Sequence, residues 1–536
     1  MNSDIKKYNI SGYFAWMMLT LIVSLTVVLR LSMLNIPLER DEGEYAYMGQ
    51  LLLQGIPPYF MAYSMKLPGL SFIYAIVMGV FGQSISAIHL GLLIFNGIAV
   101  ILVFLLTRYF SDEIAGVWAA LVYALLSVSP SVWGTAAHAT QFLAPFVLGG
   151  ILLMLMAVDR KKSWMLIISG FLLGFAFLIK QHAIFFLIFS VLYYFYMTIR
   201  KTLTGKEILS GAAILMLSFA IPFLAVCGLL YFCGVFSTFW FWTFSYARQY
   251  ALETSISMAI SRLAQAASIV IGPWRLIWII AGIGLSSVLW SKKIRSKRFF
   301  IAGFSLFSFL SICPGYYFRF HYFITLLPAV AMLSGIAVSA SITYLSQRFS
   351  PFLKTIPVIF IIFALSLPAW EQKRFFLADP IAASYMIYGI SNPFPESLPV
   401  AEYIRKNSLP SDTVAVVGSE PQIYFYANRK SATGYIYMYG LMERQIYASQ
   451  MQQAMIREIE SARPRFIVLV SANYSWLRTA DSDVHILNWI KEYLKKYYRL
   501  RGVIDAASDM NIKTSVHPAD TDHLWDHAIT IFEIRK

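Results

Sequence analysis

Four carboxylates crowd into six residues near the N-terminus: Glu39, Asp41, Glu42 and Glu44, within Glu39-Arg40-Asp41-Glu42-Gly43-Glu44-Tyr45-Ala46-Tyr47. The first 370 residues hold ten acidic side chains, so this one window carries four of them. Carboxylates gathered in this way suit acid or base work, in which a positioned side chain takes or gives a proton. They suit a structural task equally well. Asp41 followed three residues later by Glu44 has the spacing of a capping box, where each side chain satisfies a backbone N–H at a helix start. One carboxylate can do both. The chain then runs through Gly55-Ile56-Pro57-Pro58-Tyr59 to Lys66-Leu67-Pro68-Gly69. Glu44–Leu53 has helical spacing, is rich in Tyr, Met and Leu, and stops at Gly55 before two prolines. This predicts a short helix lying in a membrane interface.

The elements that must carry these residues are set by composition. Of 536 residues 58% are hydrophobic, 16% aromatic and 13% charged. A soluble domain has roughly 25% charged residues. A soluble enzyme, a disordered chain and a secreted disulfide scaffold are therefore excluded. Residues 1–370 hold 24 Lys/Arg against 10 Asp/Glu, and residues 371–536 hold 19 against 18. Apolar runs near the ~20 residues a bilayer needs predict spans at 12–34, 86–107, 114–132, 137–157, 164–179, 183–199, 208–232, 273–290, 299–313, 324–345 and 355–370. With Lys6 and Lys7 cytoplasmic, 16 of the 24 basic residues fall in inner loops. Every inner loop is then basic, as positive-inside topology requires. The basic excess is a topology signal and calls for no nucleic-acid partner. The first span is too long, and lacks a cleavage site, for a signal peptide. Cys227, Cys233 and Cys313 form no disulfide framework, and no internal repeat stands out.

Past Trp370 the pattern changes. Residues 371–400 contain Pro380, Pro393, Pro395 and Pro399 and read as a linker along the membrane. Beyond it, helices are expected at Ala401–Asn407, Glu420–Ala427, Met451–Ala462 and Ile486–Tyr497. Strands are expected at Thr413–Val417, Phe466–Ser471 and Ile529–Ile534. This alternation predicts a small α/β domain with a largely parallel sheet. Val417-Gly418-Ser419-Glu420 lacks the further glycines of a dinucleotide loop, so the domain reads as a structural or acceptor-binding module. The fold class expected is a polytopic α-helical membrane protein of about eleven transmembrane helices (1–370) with an extracytoplasmic α/β domain (401–536).

Further candidates come from position at the outer face. Tyr316-Tyr317-Phe318-Arg319-Phe320-His321-Tyr322 offers Arg319 for a bidentate phosphate contact and His321 to orient substrate. It reads equally as an aromatic interface belt with a snorkelling arginine. Lys180, in Lys180-Gln181-His182, is costly near hydrocarbon unless it meets an anion or water. Arg248 lies in a long outer loop at 233–272 suited to closing over a lipid. His138 and Gln141 open the fourth span. Asp41, Glu42 and His138 offer oxygen and nitrogen ligands, but no spacing demands a metal. No structural metal is expected, and a divalent ion is left open.

Glu39–Tyr47, Gly55–Tyr59 and Lys66–Gly69 together resemble the first outer loop (35–85) of C-type integral-membrane glycosyltransferases. The similar families are the protein O-mannosyltransferases and the aminoarabinose transferases, which use polyprenyl-phosphate sugars. Weaker echoes lie at Gly170–His182 and Arg319–Pro328. The resemblance implies that Asp41 is the catalytic base, taking the proton of an acceptor hydroxyl as that oxygen attacks the anomeric carbon with inversion. It implies that Lys66 holds the leaving polyprenyl phosphate, and that Glu42 and Glu44 orient Asp41, bind sugar hydroxyls or solvate the helix. The relatives place an acidic residue near His138, and this chain has none. The Trp-Trp-Asp signature of oligosaccharyltransferases is absent, which argues against transfer of a whole glycan to asparagine. The expected partners are a polyprenyl-phosphate sugar donor and a lipid, glycan or protein acceptor. The pocket is expected between the first outer loop, the loops near 134–141 and 316–322, and the base of the C-terminal domain. The setting expected is a bacterial inner membrane. The rival readings are a transporter or flippase of a lipid-linked sugar, for which ionisable residues would more often sit mid-span, and a scaffold subunit for envelope assembly.

Overall fold

The computed structural model describes residues 2–201, 203–252, 254–349, 351–506, 510, 512–513 and 528–535. The chain folds into two compact units, each assembled from separate stretches of sequence. One comprises Met1–Leu34, His89–Val226 and Thr254–Leu377; the other comprises Asn35–Ile88, Cys227–Glu253 and Ala378–Lys536.

The first unit is helical. A helix stands at each of the eleven expected apolar runs. Among the described residues seven helices are long and apolar enough to cross a membrane: Gly12–Leu31, Ile85–Phe110, Ala139–Arg160, Gln181–Arg200, Gly205–Phe232, Leu327–Arg348 and Phe352–Glu371. Glu113–Leu126, Ser163–Ile179 and Arg298–Leu310 are shorter. Arg275–Trp290 pairs with Ile256–Ile271 across a 104° bend, an eighth span if the pair is counted as one. Part of the loop expected at 233–272 is therefore helix, its Ser255 side chain capping Ile256–Ile271 through the Met258 N–H. Small residues bring helices close, as expected where lipid supplies no drive for their association. A Cβ on Gly174 would lie 2.2 Å from the Phe219 carbonyl oxygen, and one on Gly170 would lie 2.4 Å from that of Leu215.

The second unit carries a five-stranded sheet. Its strands are β1 (Thr413–Val417), β2 (Lys430–Ser431), β3 (Phe466–Val470), β4 (Tyr498–Ile504) and β5 (Ile529–Ile534), in the order β2-β1-β3-β5-β4. Pairing is parallel from β2 through β3, with Val414 opposite Ser431 and Phe466. It is antiparallel from β3 to β5 and from β5 to β4, with Ile467 opposite Phe532. The expectation of a largely parallel sheet is thus corrected to a mixed one. Thr-Val-Ala-Val-Val and Phe-Ile-Val-Leu-Val read as continuous apolar runs because both their faces are buried, the mark of central parallel strands. β4, Tyr-Arg-Leu-Arg-Gly-Val-Ile, follows the helix His485–Tyr497 without a break and forms the edge, with a bulge between Leu500 and Gly502. One sheet face is covered by Met451, Met455 and Ile459 of the helix Ala448–Ala462 and by Ile486, Ile490 and Leu494 of His485–Tyr497. Residues 371–400, expected as a linker, contain the helix Pro380–Tyr388, capped by Asp379, and the start of Ser397–Lys406.

Candidate active site

The helix expected at Glu44–Leu53 spans Arg40–Leu53 and ends before Gly55, whose φ of +77° turns the chain. Glu39 is its cap. The Glu39 carboxylate accepts from the Glu42 N–H at 2.9 Å, and Glu42 accepts from the Glu39 N–H at 3.1 Å. The capping box is therefore Glu39/Glu42, two residues earlier than the Asp41/Glu44 pair that the spacing suggested. The helix starts early because the chain just before it is tied down: the Leu38 N–H donates to the Tyr426 hydroxyl at 2.8 Å. Glu42 spends its side chain on the cap and is 1% exposed.

Asp41 and Glu44 are thereby released from capping, and at i, i+3 they share one helix face. Lys66 meets both. Its Nζ lies 2.9 Å from Asp41 Oδ1 and 2.6 Å from Glu44 Oε2. It also stands over the rings of Tyr45 and Tyr437 at 4.6 and 5.5 Å. Ser64 supports the pair, donating to Glu44 Oε1 at 2.5 Å while its oxygen accepts the Lys66 N–H. Tyr59 donates to the Lys66 carbonyl at 2.8 Å. Burial alone would lower the Lys66 pKa, but Asp41, Glu44 and Tyr45 outweigh it and hold the ammonium well above the ordinary lysine value. Burial raises the Glu44 carboxyl, with Lys66 opposing. Glu39 is pushed well up by burial and by its neighbours Asp41 and Glu42.

Two residues here are not marked by the local sequence. Tyr437 donates from its hydroxyl to Asp41 Oδ1 at 3.0 Å. Its only signal was the alternation Tyr435-Ile436-Tyr437-Met438-Tyr439, which is faint in a chain this aromatic. Arg40, beside Asp41, turns away from it. Its guanidinium pairs with the buried Glu420 at 2.9 Å, donates to Asn392 and the Ser419 carbonyl, and lies 5.0 Å from the Phe394 ring centre. Arg248, in the Ala247–Leu252 helix of the same unit, is exposed.

The other candidates lie in the membrane-helical unit, where Tyr322 packs edge-on against His321 at 4.9 Å and so links Lys180 to the histidine pair. His138 and His321 come together, their rings stacked at 4.0 Å and 15° with Trp133 alongside. Lys180 sits 3.8 Å above the Tyr322 ring. Arg319 shares Tyr317 with Arg262, at 5.7 and 4.7 Å. Gln141 stands apart from all of these. Its amide donates to the carbonyls of Ser127 and Gly134, which also accept from the buried Arg30. That network holds the 127–134 turn, and Gln141 belongs to it.

The family described as dolichyl-phosphate-mannose-protein mannosyltransferase matches residues 65–226. No curated protein sequence matches the chain. Among solved structures, ArnT from Cupriavidus metallidurans bound to undecaprenyl phosphate is similar at a TM-score of 0.58 and 16% identity, covering 85% of this chain and 93% of that one. The archaeal oligosaccharyltransferase AglB from Archaeoglobus fulgidus, in complex with an inhibitory peptide and a dolichol-phosphate, is similar at 0.55 and 14%, covering 95% and 75%. The A. fulgidus enzyme is also known in complex with Zn and sulfate, at 0.57 and 14%, covering 93% and 73%. These likenesses agree with what the helices and the sheet showed separately: the chain is a multi-pass membrane protein with the C-type glycosyltransferase fold, similar over residues 65–226 to the dolichyl-phosphate-mannose-protein mannosyltransferases.

Proposed function

We propose that this protein moves a single sugar from a polyprenyl-phosphate donor to a hydroxyl of a lipid, glycan or protein acceptor at the outer face of the membrane. The observation that carries the reading is the Asp41–Lys66–Glu44 cluster, a carboxylate at a helix start with a lysine kept charged beside it. Asp41 accepts the proton of the acceptor hydroxyl as that oxygen bonds to the anomeric carbon. The bond from that carbon to the phosphate oxygen breaks on the opposite side, which inverts the centre. The phosphate departs as an anion and needs a cation more than an acid. Lys66 is that cation. Its move from Asp41 to the phosphate would free Asp41 to act as a base, and Glu44 with Ser64 marks the position to which it returns. The lipid phosphates held by the two similar enzymes support this class of donor.

Glu42 serves as a cap and Gln141 as a clamp in this reading. Lys180, Arg319 and the His138–His321 pair remain the groups of the membrane unit suited to phosphate and sugar hydroxyls. The test is a panel of labelled polyprenyl-phosphate sugars supplied to membranes containing the full chain. Label should pass to an acceptor, leaving free polyprenyl phosphate. Flipping of the intact lipid with no transfer from any donor would replace the reading with that of a transporter.

A further inference from the structure

The C-terminal domain reaches the Asp41–Lys66 cluster by two routes. Tyr437 follows Asp41 by 396 residues, in the stretch after β2, yet its phenol donates to Asp41 Oδ1. Lys66 donates to that same oxygen, so two donors from different segments hold one carboxylate oxygen. Tyr437 is itself held: its ring meets Tyr439 edge-on at 4.7 Å, the Tyr439 hydroxyl donates to the Tyr474 carbonyl, and the Met438 N–H donates to Ser419 Oγ.

The second route leads to Lys66. The Tyr63 N–H donates to the Gly434 carbonyl at 2.7 Å. The Tyr63 ring lies so close that a Cβ on Gly434 would stand 2.4 Å from it, a gap that glycine alone permits. That ring stacks on Trp242 at 5.5 Å, and its hydroxyl donates to Glu458 Oε1 at 3.1 Å. The other Glu458 oxygen accepts from Thr433 and the Gly434 N–H. Ser64 follows Tyr63 directly and Lys66 stands three residues on, so this latch sets where the ammonium stands.

We propose that the C-terminal domain is a positioning element of the transfer site, with Tyr437 holding the Asp41 carboxylate and the Tyr63–Glu458 latch holding the loop of Lys66. This rests on the assignment of Asp41 as base. A donor on a carboxylate favours its ionised form, and losing a hydrogen bond to a charged group is worth about one pH unit or more. Within this unit Asp41 is faced by Glu39, Glu44 and Tyr45 of its own helix, Lys66 of the loop, Tyr74 of Gly69–Phe81, and Tyr388 and Tyr437 of the C-terminal region. Burial and Asp41 hold the Tyr437 phenol well above the ordinary tyrosine range, so it stays a donor throughout the working pH.

The test uses the full chain in proteoliposomes, with the donor that the wild type turns over and with undecaprenyl phosphate as a binding probe. Tyr437→Phe should move the acidic limb of the pH–rate profile up by about one unit, with donor KM within about twofold. Glu458→Ala should weaken undecaprenyl phosphate binding about tenfold. Glu458→Gln, whose oxygen still accepts from Thr433 and the Gly434 N–H while its amide NH2 can donate to the Tyr63 oxygen, should restore most of it. A Tyr437→Phe profile superimposed on the wild type, or wild-type probe binding by Glu458→Ala, overturns the proposal. Asp41→Asn separates the two levels. If it abolishes transfer while Tyr437→Phe leaves the profile unmoved, the inference alone falls. If Asp41→Asn transfers at the wild-type rate, the assignment of the base falls first.

Discussion

Lys66→Met removes the one cation between Asp41 and Glu44, and its cost depends on pH in a way the geometry dictates. At an effective dielectric constant near 20, each pair at 2.9 and 2.6 Å is worth about 6 kcal/mol before desolvation, which returns several kcal/mol. In the wild type the Lys66 ammonium is charged throughout pH 5–8. The folded-state pKa of Lys66 lies above its ordinary 10.5, so the contribution fades only as pH rises through that folded value. In the variant Glu44, 3% exposed, is left beside Asp41 with Ser64 as a donor. It escapes by taking up a proton. From an ordinary value of 4.5, that uptake costs at most about 5 kcal/mol at pH 8 and about 1 kcal/mol at pH 5. A carboxyl with a raised folded pKa loses stability as pH rises, so the gap between variant and wild type should widen from pH 5 to pH 8. With about 2–4 °C per kcal/mol in a unit of this size, thermal unfolding at a fixed scan rate should show a gap of about 10 °C or more at pH 8 and a few degrees at pH 5. An equal gap at both pH values, or none at pH 8, would refute the role of Lys66 as counter-charge.

Other variants test the surrounding structure. Glu42→Ala should cost about 1 kcal/mol through loss of the capping box, with Glu42→Gln recovering most of it, both read as thermal midpoints. Arg40→Met should be harsher, about 3–5 kcal/mol, because it strands the buried Glu420 without its partner. Adding Glu420→Gln should recover part of that loss, a coupling measurable in a double-mutant cycle.

Much of this architecture is legible in the sequence, for physical reasons that differ between elements. The apolar runs announce the membrane helices because a helix in lipid must be apolar for most of its length. The count of full spans is less legible, since Glu113–Leu126 and Arg298–Leu310 are short and 256–290 is bent, and hydropathy registers neither property. β1 and β3 are readable as buried strands. β4 is hidden because it follows the helix His485–Tyr497 with no turn residue between them, so its alternation reads as a continuation of that helix. The capping pair was displaced by two residues because a glutamate cap at Glu39 breaks the usual preference for Ser, Thr, Asp and Asn. That displacement alters chemistry, since it assigns Glu42 to the cap and leaves Asp41 and Glu44 to Lys66. Tyr437 has only its faint tyrosine alternation as a local signal, and Glu458 has none. They act on residues about four hundred positions away, and only folding brings them near.

Asp41 is the residue on which the proposed chemistry depends. Membranes containing the Asp41→Asn protein, supplied with the labelled polyprenyl-phosphate sugar that the wild type uses, isolate the base, because asparagine keeps the shape and cannot accept the proton. Transfer should fall about 100- to 10,000-fold. Transfer at the wild-type rate would contradict the account.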